Sequence, residues 1–196
     1  MASVNASLAA AEAQSRSDYA DCLSQIKDAG QKPDKDSYQV ETNVRYLSTR
    51  YLSVDVTSSY DCAGAYPNSG IETPSTFDLV TGKAIDWKAI FKPGFLPPDN
   101  AGDNAAPSPL TKLYRAHYSK AKDDADCRQD IDSNDPFASP PIIMLNSRSG
   151  VVFQPDLAHA DQACGTPLTL KAAEIAPYVR NADFLADLKA TVKPGN

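Results

Sequence analysis

Two histidines, four cysteines and one run of alternating acids are the residues of this chain whose types and spacing could do chemistry. His117 and His159 could each serve as a general base. Neither is accompanied by a GxSxG nucleophile elbow, an HExxH zinc motif or a P-loop, so each reads as an ordinary core or surface histidine. Cys164 precedes Gly165 and follows His159 closely, which could make a nucleophile and base. A disulfide accounts for Cys164 better, because four cysteines are available to pair. Asp130-Ile-Asp132-Ser-Asn134-Asp135 has the alternating oxygen ligands that open a calcium loop. Its sixth position should be Gly and is Asp135; its twelfth should be Glu and is Pro141. The segment therefore reads as a solvated acidic loop. No nucleophile and base can be paired from the spacing, so no catalytic residue, metal or cofactor is expected and the chain reads as non-enzymatic.

Cys22, Cys62, Cys127 and Cys164 are too far apart in sequence for the close pairs of a structural zinc site. An even number of widely spaced cysteines points to two disulfides and an oxidising compartment. Three pairings are possible. Cys22–Cys62 with Cys127–Cys164 is favoured, because each closes a loop between neighbouring segments; four reduced, buried thiols are the alternative. Met1–Ala10 has neither the basic nor the apolar region of a signal peptide, so an exported protein would be met here in mature or truncated form with Met1 added.

The elements that would position these residues follow from composition and period. The chain has 196 residues, 19 Lys and Arg against 25 Asp and Glu, and a net charge of −6. That length can bury a real core. The acidic balance gives no general attraction to nucleic acid or anionic lipid. No apolar run is long enough for a membrane span. From Ser3 to about Lys27, Leu8, Ala11, Tyr19, Cys22, Leu23 and Ile26 fall on one helical stripe, ended by Ala29-Gly30. Residues 31–38 read as a linker. Val40 to Tyr60 changes to strand periodicity, and 61–70 is a turn cluster. Ser75–Val80 is a strand closed by Thr81-Gly82-Lys83 and continued to Trp87, with a helical turn at Lys88–Phe91. Residues 93–109 form a Pro-rich loop whose role stays open. Ser108 caps a middle helix carrying Leu110, Leu113, Tyr114, His117, Tyr118 and Ala121 on its apolar stripe. Ile142–Leu145 and Val151–Phe153 flank a hairpin turn. Thr166–Leu170 is a last strand, Lys171–Tyr178 a helical turn, and Asn181–Val192 a terminal helix. The order predicts an α+β fold: a mostly antiparallel sheet packed against a central helix, with N- and C-terminal helices. The division expected is a helix and linker over 1–38 and the α+β domain over 39–196.

Four tyrosines, Tyr46, Tyr51, Tyr60 and Tyr66, lie on or near one hairpin, where rings with polar tips suit protein or sugar contacts as well as a half-buried sheet. The segments Tyr51-Leu-Ser-Val-Asp-Val56, Tyr60-Asp-Cys-Ala-Gly-Ala-Tyr-Pro-Asn68, Ser75-Thr-Phe-Asp-Leu-Val-Thr-Gly-Lys83 and Ile85-Asp-Trp-Lys-Ala-Ile-Phe91 resemble the DUF3298 domain. Gly150-Val-Val-Phe-Gln-Pro155, Leu157-Ala-His159 and Leu170–Tyr178 look like its C-terminal part. The likeness covers about residues 45–180. Where the family has Gly-Gly-Ala-His, this chain has Ala63-Gly64-Ala65-Tyr66; where an aromatic often follows the late Pro, it has Asp156.

The resemblance implies a bacterial exported protein, periplasmic or secreted, in a family that includes a lysozyme-sensing anti-sigma factor and domains attached to peptidoglycan deacetylases. It supplies no catalytic centre. The function it implies is a non-enzymatic binding domain for a protein, a lysozyme-like muramidase foremost, as inhibitor or sensor. The alternative is a peptidoglycan-binding module using Tyr and Trp87 against sugar rings; an envelope hydrolase built on His117 or His159 ranks last. The binding residues expected are Tyr60, Tyr66 and Asn68 near the 60–70 turn and Pro155 and Asp156 after the late strand. The acidic loop Asp130–Asp135 is a third candidate surface.

Overall fold

The computed structural model describes residues 2–33, 37–63, 68–71, 74–98, 106–118, 127, 136–137, 140–157 and 164–191. It divides into two compact units, Met1–Ala84 and Ile85–Asn196. The α+β class with antiparallel sheets holds in both.

The first unit is a long helix on a five-stranded antiparallel sheet. Helix α1, Ala2–Asp28, ends where Gly30 takes a left-handed φ of +70°. The Gln31 N–H donates to the Ile26 carbonyl and the Gly30 N–H to that of Lys27, the pattern that satisfies the last carbonyls of a helix. Strands β1, Tyr38–Leu47, and β2, Tyr51–Tyr60, form a hairpin. The Ser48 hydroxyl oxygen fixes its turn by accepting from the backbone of Arg50 and Tyr51 at 3.1 and 2.8 Å. On its other side β2 is shared. Tyr51–Val54 pair with β4, Ser75–Asp78, while Thr57–Tyr60 pair with β3, Asn68–Ile71. Strand β5, Lys83–Ala84, closes on β4 through a turn in which the Asp78 carboxylate accepts from Val80 and Thr81.

Both faces of β2 are buried at its centre. One face packs Leu52 and Val54, with Phe77 of β4, against Val4 and Leu8 of α1. The other carries Ser53 and Asp55, both fully buried. Ser53 hydrogen-bonds Thr76 at 2.9 Å, and Asp55 pairs with Arg45. A buried carboxylate needs such a partner, because desolvation of an unpaired charge costs several kcal/mol. Arg45 reaches it from the bulge between Val44 and Tyr46. The bulge also interrupts β1, an edge strand with Val44 and Leu47 exposed, and so blunts a surface that would otherwise recruit another strand.

Among the described residues, the second unit contains two short helices and two longer ones with a three-stranded sheet: α2, Trp87–Ile90; α3, Pro109–Tyr118; β6, Ile142–Asn146; β7, Gly150–Gln154; β8, Leu168–Leu170; α4, Ala172–Ile175; and α5, Ala182–Thr191. Their sheet order is β6-β7-β8. The β6–β7 turn is set by Asn146, whose side-chain oxygen accepts from the Arg148 N–H, and by Gly150. Gly150 has φ +115°, and any Cβ there would meet the Leu170 carbonyl oxygen of the neighbouring strand. The sequence predicts that the second hairpin strand of the Phe77 region runs on to Trp87. Instead Asp86 ends it by capping α2, its carboxylate accepting from the Lys88 N–H at 2.9 Å.

The core of this unit is aromatic. Phe153 of β7 lies 5.7 Å from Phe91 and 6.0 Å from Phe95, and Phe95 stacks on Tyr178 at 4.6 Å. The chain after α4 is tied to α2: the Lys92 N–H donates to the Tyr178 carbonyl and the Arg180 N–H to that of Ile90. Ser108 caps α3 as predicted, accepting from the Thr111 N–H at 3.1 Å.

Candidate functional site

Both expected disulfides form in the favoured pairing, Cys22–Cys62 and Cys127–Cys164. The first ties the end of α1 to the end of β2, and a pocket forms beside it. Helix periodicity puts Asp18, Asp21, Cys22 and Gln25 on one side of α1, at the spacing of successive turns. Facing them, β1 begins at Tyr38 and β2 ends at Tyr60, directly opposite in register. Their rings stack at 6.1 Å with 20° between planes. Tyr19 of α1 extends the row, its ring 5.7 Å from Tyr38. Three tyrosines from three elements thus form a ladder across the helix–sheet junction.

Two concave sites share the middle ring, Tyr38. One, of about 420 Å³, is lined by Asp18, Asp21, Cys22, Gln25, Tyr38, Tyr60 and Cys62. The other, of about 550 Å³, runs between α1 and the sheet, from Leu8, Ala11 and Tyr19 on the helix to Tyr38, Val40, Thr42 and Val56 on the strands. This groove exists because α1 is anchored at its two ends, by Val4 and Leu8 at one and by Cys22 and Ile26 at the other. Its rim carries the Glu12–Arg16 ion pair at 2.7 Å, which is exposed and contributes little to stability.

The sequence-derived residues distribute as follows. Tyr60 lies in the ladder, half-buried. Asn68 opens β3 opposite Tyr60 in register. Tyr66, the Asp130–Asp135 loop and His159 lie outside the described residues. Pro155 and Asp156 belong to the second unit; Pro155 is buried, so the accessible residue of that pair is Asp156. His117 is exposed, off the buried stripe, because α3 turns Leu110, Thr111, Tyr114 and Tyr118 inward. Tyr114 packs edge-on to Phe137 at 5.1 Å, and burial, with Tyr118 adding to it, pushes its phenol above the usual tyrosine range. Trp87 is engaged by Phe91 and Phe184, at 5.9 and 6.1 Å. Tyr19 and Tyr38 went unnoticed in the sequence as site residues. Among the described residues no three His, Cys, Asp or Glu side chains converge to hold a metal ion.

Ala63, next to Cys62, has a left-handed φ of +43°. Gly is the residue that adopts this conformation without a Cβ penalty. Ala63→Gly is expected to stabilise the oxidised protein by about 1 kcal/mol, measured by urea denaturation. A loss of stability would show that the Ala63 side chain, packed beside the Cys22–Cys62 cluster, outweighs its backbone strain.

No family model matches the chain, and no curated protein matches it. Among solved structures, a DUF3298-family protein from Bacteroides fragilis superposes with a TM-score of 0.54 over 90% of this chain and 68% of its own, at 14% identity. A DUF3298-family protein from Pseudomonas aeruginosa gives a TM-score of 0.48 over 81% of this chain and 65% of its own, at 15% identity. At such identities the likeness is one of fold, and it rests on the first of the two. The molecule is an α+β protein cross-linked by two disulfides, with a tyrosine ladder at a helix–sheet junction. Its fold is DUF3298-like.

Proposed function

We propose that this protein is a non-enzymatic, extracytoplasmic binding domain whose partner is a protein, a lysozyme-like muramidase foremost. The observation that carries the reading is the Tyr19–Tyr38–Tyr60 ladder beside an open groove on a disulfide-clamped helix. Tyrosine supplies large, rigid contact area at low entropic cost, and its hydroxyl keeps the surface wettable. The disulfide holds the two sides of the groove in register and supports an oxidising compartment. A net charge of −6 would steer a basic partner such as a lysozyme toward it, with binding weakened by salt. Among the described residues no helix is long and apolar enough to cross a membrane.

A second reading, binding of cell-wall glycan, draws on Tyr19, a residue 46% exposed whose outer ring face could stack on a sugar. Pull-down by the oxidised protein against a panel of lysozymes and insoluble peptidoglycan separates the two. Capture of a lysozyme that weakens at high salt is the expected result. Capture by peptidoglycan alone, insensitive to salt, would replace the protein partner with a glycan. Capture of nothing at micromolar concentrations would overturn the proposal.

A further inference from the structure

The pocket beside the first disulfide has a chemistry of its own, distinct from that of the apolar groove. Among the described residues, its charged lining residues are Asp18 and Asp21, one turn apart on α1, and no Lys, Arg or His lines it. Its wall is aromatic, formed by the stacked rings of Tyr38 and Tyr60. Its floor is the buried Cys22–Cys62 bridge, which fixes the helical carboxylates against the strand-borne rings. The volume, about 420 Å³, admits the end of one long side chain. Aromatic faces attract cations through their quadrupole, and nearby carboxylates add Coulomb attraction and hydrogen-bond acceptors. An anion would meet two carboxylates, and a neutral apolar chain would desolvate them without return.

We infer that this pocket receives a basic side chain of the partner, an arginine guanidinium or lysine ammonium held between the Tyr38 and Tyr60 rings and the Asp18 and Asp21 carboxylates. The inference deepens the proposed function, and it rests on that reading for the partner being a protein. Asp21 and Gln25 are exposed and Asp18 half-buried, so the mouth opens to solvent on the helix side. Asp18 already accepts from the Gln14 side chain at 2.8 Å, which positions one carboxylate oxygen and leaves the other for an incoming donor.

The test is an amide-resolved NMR titration of the oxidised protein with N-acetyl-argininamide and N-acetyl-lysinamide, against N-acetyl-norleucinamide as the neutral control. The expected result is saturable shifts at Asp21, Cys22, Tyr38 and Tyr60 with the basic probes alone. The Asp18→Asn/Asp21→Asn double variant is expected to bind about tenfold more weakly, with an unchanged unfolding transition. Equal shifts with norleucinamide, or full binding by the double variant, would overturn the inference. A protein that captures a lysozyme but ignores both basic probes would retain the proposed function and lose this pocket. One that binds the probes but captures no lysozyme would keep the pocket and lose the partner.

Discussion

Replacing Cys22 and Cys62 together by alanine is expected to lower the stability of the first unit by about 4 kcal/mol. The bridge joins residues 40 apart in sequence, and closing a loop of that size restricts the unfolded chain strongly. The folded state loses something as well. Most of α1 is exposed, and its contacts concentrate at Val4 and Leu8 near one end and at Cys22 and Ile26 near the other. Without the bridge, Ile26 and the tyrosines alone hold the second anchor. The loss is therefore expected to appear as fraying of α1 from its C-terminal part before the sheet melts. Denaturant unfolding followed by far-ultraviolet circular dichroism, with hydrogen exchange on α1, measures both. A change below about 1 kcal/mol would mean that packing, not the cross-link, holds the helix.

In the second unit, Phe153→Ala is expected to cost about 4 kcal/mol. Phe153 is fully buried on the central strand of its sheet and touches the rings of both Phe91 and Phe95. Truncation removes its own transfer energy and leaves a cavity that the stiff neighbouring rings cannot fill. Phe153→Leu, which keeps most of the volume, is expected to cost about 1.5 kcal/mol or less. Trp87 is the single tryptophan and stacks on Phe91, so its fluorescence reports unfolding of this cluster directly. Equal, small effects of the two substitutions would contradict the view that Phe153 is the hub.

Those two clusters mark what could be read in the sequence and what could not. Local chemistry was legible. Asn146 and Gly150 announce the β6–β7 hairpin, Ser108 the start of α3, and Ala29-Gly30 the end of α1, because each acts within a few residues. The cysteine pairing was legible because, of the possible pairings, it alone joins neighbours in sequence, 40 and 37 residues apart. Long-range register was not. Residues 31–38 read as a linker, yet Tyr38 begins β1 and stands at the centre of the ladder. Counting out from the Ser48–Tyr51 turn places Tyr38 opposite Asp61; the bulge between Val44 and Tyr46 shifts the register by one residue and brings it opposite Tyr60. The boundary at Ala84 and Ile85 follows the Thr81-Gly82-Lys83 hairpin turn, with no Pro/Gly-rich stretch or charge run to tell it from a turn within one unit. His117 falls within the apolar stripe of the sequence but outside the face that α3 buries, because that face is the narrower of the two.

The ladder also explains why the site spans an element that periodicity alone describes poorly. One face of α1 both anchors the helix, at Val4, Leu8, Cys22 and Ile26, and lines the groove between those anchors with Ala11, Ser15 and Tyr19, so its apolar pattern is diluted along the middle.

The most direct measurement is calorimetric titration of a C-type lysozyme into the oxidised protein and into its Tyr19→Ala and Tyr60→Ala variants. The account predicts micromolar or tighter binding by the unaltered protein and about tenfold weaker binding by each variant, the loss expected on removing an aromatic anchor. Tyr19 is exposed, so its variant should unfold like the unaltered protein. Absence of binding by the unaltered protein, or binding by both variants at its full strength, would contradict the claim that the tyrosine ladder is the recognition surface.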